Sequence, residues 1–249
     1  MTQERNISQD GFKATGPAQA RQELEREISQ LPVDMLDPRR RLEKMVRADI
    51  EGKPFSELTK VTYDHDGAQL CGHVMLDNLE EKGFVIGDFT AVGALTAAAI
   101  PLVCAIMHAA ASRGEDLDGF LMDFVYPSIK GPSIKGKKVI LVDAWLSEKS
   151  FVQTSSLVTL RHGNELNLDF SILQNEGAEL LAITSLVGSL GKGLAAGGST
   201  DTATDVGSGT DMGLDLNIDE GQDQEMTITL VNPLSQGKQD LPFLPLFRG

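Results

Sequence analysis

The chain has 249 residues, 41% of them hydrophobic, and a formal charge of −14. Such a length and apolar content suit a folded protein with a sizeable core. The acidity repels phosphate backbones and anionic lipid, so neither nucleic acid nor a membrane surface is an expected partner.

The N-terminus, "MTQERNISQDG", lacks an apolar signal-peptide core, and no apolar run reaches transmembrane length, so the expected location is cytoplasmic. A short charged helix is predicted over residues 17–32, with Leu24, Ile28 and Leu31 on one face. A second is predicted over roughly 38–50, with Asp37 as cap and Pro38 at its first position. Residues 1–50 thus read as a helical extension that docks on a core or on a partner.

A core follows over residues 51–187. "GAQLCGHVMLDNLEEKG" is an amphipathic helix ended by Gly83, "FVIGDFTAVG" a strand entering a glycine turn, and "LTAAAIPLVCAIMHAAASRG" a helix. "LDGFLMDFVY" and "KKVILVDAW" are further strands. Apolar strands alternating with helices predict an α/β fold with a central, mostly parallel sheet flanked by helices. "SSLVTLRHGNELNLDF" departs from that rhythm and reads as a hairpin around Gly163-Asn164. "FSILQNEGAELLAITSLVG" restores helix and strand.

Residues 188–224 are rich in Gly, Ser, Thr and Asp and read as a polar insertion. Residues 225–249, with "EMTITLVN" and "DLPFLPLFRG", read as strands that complete the core.

Several local patterns fail on chemistry. "GSLGKG" resembles a phosphate loop, but Gly193 stands where a magnesium-binding hydroxyl is needed. "DLNIDEGQD" resembles a calcium loop, but its glycine comes one place late and Met226 occupies the twelfth position. His65, His73, His108 and His162 show no metal-ligand spacing, so no metal site is expected; His73 and His108 read as core histidines. Cys71 and Cys104 sit among apolar residues and read as buried free thiols.

The order "FTAVGALTAAAIPLVCAIMHAA", "LDGFLMDF", "IKGPSIKGKKVILVDAW", "NEGAELLAI" and the closing "DLPFLPLF" resembles the orotate phosphoribosyltransferase family, in particular its actinobacterial members. The resemblance covers roughly residues 62–187 and the last ten. It implies a phosphoribosyltransferase-type sheet, a homodimer, and a reaction joining orotate to phosphoribosyl pyrophosphate (PRPP) with magnesium and release of pyrophosphate.

On that resemblance, Ala91, Val92, Gly93, Ala94, Leu95 and Thr96 correspond to the pyrophosphate loop. Asp143 is what remains of an acidic pair for the ribose hydroxyls, the second place being Ala144. Ser147, Lys149 and Ser150 stand in the turn that cradles the 5′-phosphate, where Trp145 is bulky and Glu148 would oppose a phosphate. The family's mobile Lys- and His-bearing loop is replaced by "MDFVYPSIKGP", which passes directly to the next strand with only Lys130 nearby. On the orotate side, Gly52, Lys53 and Tyr63 are the candidates.

Several elements are therefore eroded on intact strands. The expectation is a catalytically degenerate member that acts by binding or assembly, with the N-terminal helices or the acidic insertion as surfaces for a protein partner. The alternative is an active transferase with a rearranged site, and only then would magnesium enter, together with PRPP.

Overall fold

The computed structural model describes residues 31–32, 35–53, 56–147, 159–161, 164–189 and 226–248. The chain divides into two compact units, Met1–Asp37 and Pro38–Gly249. Of the first, the described part is a short turn closed by the Met35 N–H donating to the Pro32 carbonyl at 2.9 Å. The helix expected over 17–32 lies outside the described residues up to residue 30. Of the insertion expected over 188–224, Gly188 and Ser189 end a strand, and the rest, with most of the phosphate-loop and calcium-loop look-alikes, lies outside the described residues. No helix among the described residues is long and apolar enough to cross a membrane.

The second unit opens with α1, Pro38–Ile50, where proline's fixed φ suits the first helical turn. Leu42, Val46 and Ile50, four apart, form its buried stripe. A short α2, Thr59–Thr62, leads to α3, His65–Glu81. Asp64 caps α3 by accepting from the N–H groups of Asp66 and Gly67 at 3.0 and 2.9 Å. Gly83 ends it in the left-handed region, at φ 86°. There the Phe84 N–H reaches back to the Leu79 carbonyl at 2.9 Å.

Helix α4, Ile100–Ser112, lies so close to α3 that a Cβ on Gly72 would fall 2.3 Å from the Ala105 carbonyl oxygen. Cys71 is buried beside that contact, and burial pushes its thiol up to about 12. Cys104 corrects the sequence reading, because it is exposed. α4 buries Leu102, Val103, Ile106, Ala109 and Ala110, and Cys104 and His108 lie one turn apart on the opposite face. An apolar neighbourhood in sequence is not an apolar neighbourhood in space.

Among the described residues nine strands form one sheet: β1 (Ala91–Ala94), β2 (Asp118–Asp123), β3 (Ser128–Lys130), β4 (Lys138–Ser147), β5 (Thr159–Arg161), β6 (Glu165–Asn167), β7 (Glu179–Ser189), β8 (Met226–Val231) and β9 (Lys238–Arg248). Their order is β3-β2-β1-β4-β7-β9-β8-β6-β5. β1 pairs parallel with β2 and β4, β4 with β7, β7 with β9, and β6 with β8. This is the α/β class and mostly parallel sheet read from the sequence. The hairpin is present as antiparallel β5 and β6. A five-residue α5, Ser171–Asn175, precedes β7.

Both faces of the central strands are covered, which is why they read as unbroken apolar runs. Val92, Ala94, Ile140 and Val142 face a layer that includes Leu42 and Val46 of α1, Leu79 of α3 and Leu102 of α4. Leu141, Ile183 and Phe243 face a second layer with Ile134, Leu168 and Ile172.

Gly93 is required by packing. A Cβ there would lie 2.3 Å from the Phe120 ring and 2.9 Å from Leu141 Cδ2, closer than real Cβ contacts allow. Gly93→Ala is expected to cost about 1–3 kcal/mol as the ring is displaced. Urea unfolding of the variant checks this, and an unchanged midpoint would refute the account.

Between β2 and β4 the chain does not run straight on. It folds back as a tight β2–β3 hairpin, pairing Asp123 with Ser128 and Leu121 with Lys130. Asp123 makes the turn, its Oδ1 accepting from the N–H groups of Val125 and Tyr126 at 2.9 and 3.1 Å.

Candidate functional site

β1 and β4 run parallel side by side, with Ala94 opposite Val142; β1 ends there, while β4 continues to Ser147. In open α/β sheets, ligands bind beyond the carboxyl ends of the strands. Two side chains meet here. Thr96, in extended backbone just after β1, donates its hydroxyl to Asp143 Oδ1 at 2.7 Å. The Ala144 N–H donates to the same oxygen at 2.8 Å. Asp143 is only 3% exposed, and burial pushes its carboxyl up to about 6 even though both donors favour the charged form.

Asp143 is in register with Ser185 of β7, and Ser185 with Pro245 of β9. Ser185 is fully buried, and its hydroxyl has no hydrogen-bond partner among the described residues. Sequence reading missed it, although a serine inside the apolar run "LLAITSLVG" was a visible irregularity.

Of the six residues assigned to a pyrophosphate loop, Ala91 to Ala94 are the buried strand β1 itself. Only Leu95 and Thr96 are in the turn, and Leu95 is buried. After Asp143, β4 continues as strand. Trp145 pairs with Val187, Leu146 with Gly188 and Ser147 with Ser189, so this backbone is laddered to β7. Trp145 and Leu146 are both buried. Ser147 is the last residue of β4; Lys149 and Ser150 lie outside the described residues.

Lys130 is on the edge strand β3, at the far side of β2 from β1. Its ammonium lies 2.7 Å from Asp123 Oδ2. That bond, with the Tyr126 N–H, holds the Asp123 carboxyl below its usual range. Structure therefore joins Asp143 with Thr96 and keeps Lys130 in a separate ion pair. The orotate-side candidates are also apart from this edge in their bonding: Lys53 donates to Asp49 Oδ1 at 2.7 Å, Gly52 supplies a left-handed turn at φ 69°, and Tyr63 is exposed.

The layout defines an α/β protein whose candidate site lies just beyond the carboxyl end of β1, against the middle of the adjacent parallel strand β4, and centres on one buried carboxyl. Over part of its length the chain is related in sequence to orotate phosphoribosyltransferases. It is 36% identical over 100 residues to that enzyme of Streptomyces avermitilis, a match covering 38% of this chain and 52% of the relative. It is 29% identical over 144 residues to the Streptomyces coelicolor enzyme, covering 55% and 69%. The chain thus spans about half the length of the first of these curated relatives. Among solved structures, Mycobacterium tuberculosis orotate phosphoribosyltransferase in complex with PRPP is similar with a TM-score of 0.43 at 22% identity, over 61% of this chain and 83% of that one. No protein-family model matches the chain.

Proposed function

We propose that this chain is an orotate phosphoribosyltransferase-like protein that acts by binding or assembly, with its ancestral transfer chemistry lost. The observation that carries the reading is the bond between Thr96 and Asp143. A ribose diol needs an accessible carboxylate, and pyrophosphate needs donors turned toward it. Here the surviving acid is buried and its hydrogen-bond partner is the threonine assigned to pyrophosphate, so each engages the other.

Two further features support it. The chain that would turn to cradle a 5′-phosphate stays in the sheet through Ser147. The segment that would supply mobile cations is a tight hairpin whose Lys130 is paired with Asp123. Removing preorganised cations from a transition state that develops pyrophosphate charge costs about 3 kcal/mol or more per donor. For assembly, the same hairpin presents Val125 and Tyr126, 72% and 75% exposed, on a turn fixed by Asp123. Rigidly held apolar anchors of this kind suit an interface, and a second copy of the chain is the partner we propose.

The test is direct. Purified protein with orotate, PRPP and magnesium is expected to form no orotidine monophosphate above background, and millimolar PRPP to give neither calorimetric heat nor a melting shift. Steady turnover that Asp143→Asn abolishes would establish the active, rearranged transferase instead.

A further inference from the structure

Helix α4 has the composition of a helix buried on every side. From Ile100 to Ser112 it carries no charged side chain, in a chain of net charge −14. A helix so apolar ordinarily lies inside a protein. Yet only one face of α4 is covered: Leu102, Val103, Ile106, Ala109 and Ala110 are buried, while Ile100, Cys104, His108 and Ala111 are exposed. Those four exposed positions follow the helical repeat and make one stripe.

Two members of the stripe have metal-ligating side chains. Cys104 is a free thiol and His108 follows it by four residues, so their Cβ atoms lie about 5–6 Å apart on one face. Zinc takes sulfur at about 2.3 Å and imidazole nitrogen at about 2.0–2.1 Å, and ligands one helical turn apart reach the same ion. The pair supplies half of a tetrahedral set. Among the described residues no three histidine, cysteine or carboxylate side chains of one chain are grouped to hold a metal. One chain therefore leaves the ion half-ligated, and a second copy completes it.

A second copy also suits the stripe in charge and shape. Two chains of net charge −14 repel one another, and α4 offers them a face without carboxylates. Asp77 and Glu80 of the neighbouring α3 are held by Arg113, just beyond the end of α4. Crossing antiparallel over the midpoint between Cys104 and His108, two such helices lay Ile100, 39% exposed, over the small side chains near Ala111 of the partner subunit. Each thiol releases its proton on binding and each imidazole binds neutral, so two thiolates cancel the charge of the ion.

We propose that Cys104 and His108 of two copies of this chain form a tetrahedral zinc site that joins them through α4. The proposal rests on the reading that the chain assembles with itself, and is independent of the fate of the transferase chemistry.

Sedimentation of the full chain, stripped with chelator and then titrated with zinc, tests it. Zinc is expected to bind at one ion per two chains and to tighten dimerisation at least about ten-fold. Cobalt(II) in place of zinc should give the intense visible bands of tetrahedral thiolate ligation. Cys104→Ser and His108→Ala, both at exposed positions, should each lose those bands and weaken zinc binding about 100-fold or more, with the melting temperature of the metal-free chain unchanged. One ion per chain, a zinc response that survives either replacement, or no response to zinc would overturn the site. A dimer that forms equally in chelator and is broken by Tyr126→Asp would also overturn it, and would assign self-association to the β2–β3 turn instead. A chain that stays monomeric with and without zinc would overturn both.

Discussion

Asp143→Asn is expected to stabilise the protein by roughly 2 kcal/mol at pH 7.5 and to leave it unchanged near pH 4. The carboxyl titrates at 3.8 when unperturbed and at about 6 in the fold, because burial penalises its charge. Between those values the folded protein holds a proton that the unfolded chain has released, so stability falls as pH rises. Above the folded value the whole cost is present, about 1.4 kcal/mol for each pH unit separating the two. Asparagine keeps an oxygen to accept from Thr96 and the Ala144 N–H, and has no charge to bury. Part of the gain is offset because its amide adds donors to a buried position. Urea midpoints of both proteins at pH 4, 5, 6 and 7.5 measure the gap. A variant that is less stable at pH 7.5, with the deficit growing as pH rises, would show that the folded state favours the ionised acid.

This result bears on function as well as stability. A buried acid whose charge burdens the fold at neutral pH, where asparagine would serve the same bonds, is not required by packing. Under the binding reading it is a remnant position whose neighbourhood has closed over it. Under the transferase reading the same strain would belong to a working site. The pH series and the PRPP titration therefore separate what neither decides alone.

The sheet was legible because its strands are buried on both faces, so "AVGA", "VILV" and "LLAITSLVG" read as mostly apolar runs between helices. The stop at Gly83 was equally local, whereas the cap at Asp64, three residues ahead of the predicted start, was not read. What could not be read depends on direction. Cys104 sits in "PLVCAI" but points away from the core, since helix rotation rather than neighbours in sequence decides exposure. β3 was missed because a three-residue edge strand has almost no periodic signal, although Asp123 with two following N–H groups was a usable turn cue.

At the site, a carboxyl after four apolar strand residues was visible in "VILVD", although β4 runs on past it to Ser147. Its bond to Thr96 spans 47 positions and depends on how the turn after β1 is aimed. Gly93 could be read as a phosphate glycine only while Phe120, 27 positions away in chain number, was not known to lie against it. The run "AWLS" after Asp143 was weighed against a phosphate turn, whereas its apolar residues say simply that the strand goes on.

Val46→Asp is expected to be the most damaging single change, lowering stability by about 3–5 kcal/mol or preventing folding. Sequence patterning groups α1 with an N-terminal extension, but the compact unit begins at Pro38 and Val46 is fully buried in it. A carboxylate at that position has no partner to offset its desolvation, so it must either stay protonated or force α1 off the sheet's helical layer. Ala48→Asp, on the exposed side of the same helix, is the control and should cost under about 1 kcal/mol, most of it from an acid near the helix's negative end. Circular dichroism and urea unfolding of the two variants compare them, and Val46→Ala provides a milder step of about 1–2 kcal/mol that keeps the test open where the aspartate variant aggregates. If both Val46 variants unfold at the wild-type midpoint, α1 is a detachable arm and its buried stripe contributes nothing to the core. If they fall as expected while Ala48→Asp does not, the helix is part of the fold that holds Asp143 in place, and α1 cannot serve as a free docking surface for another protein.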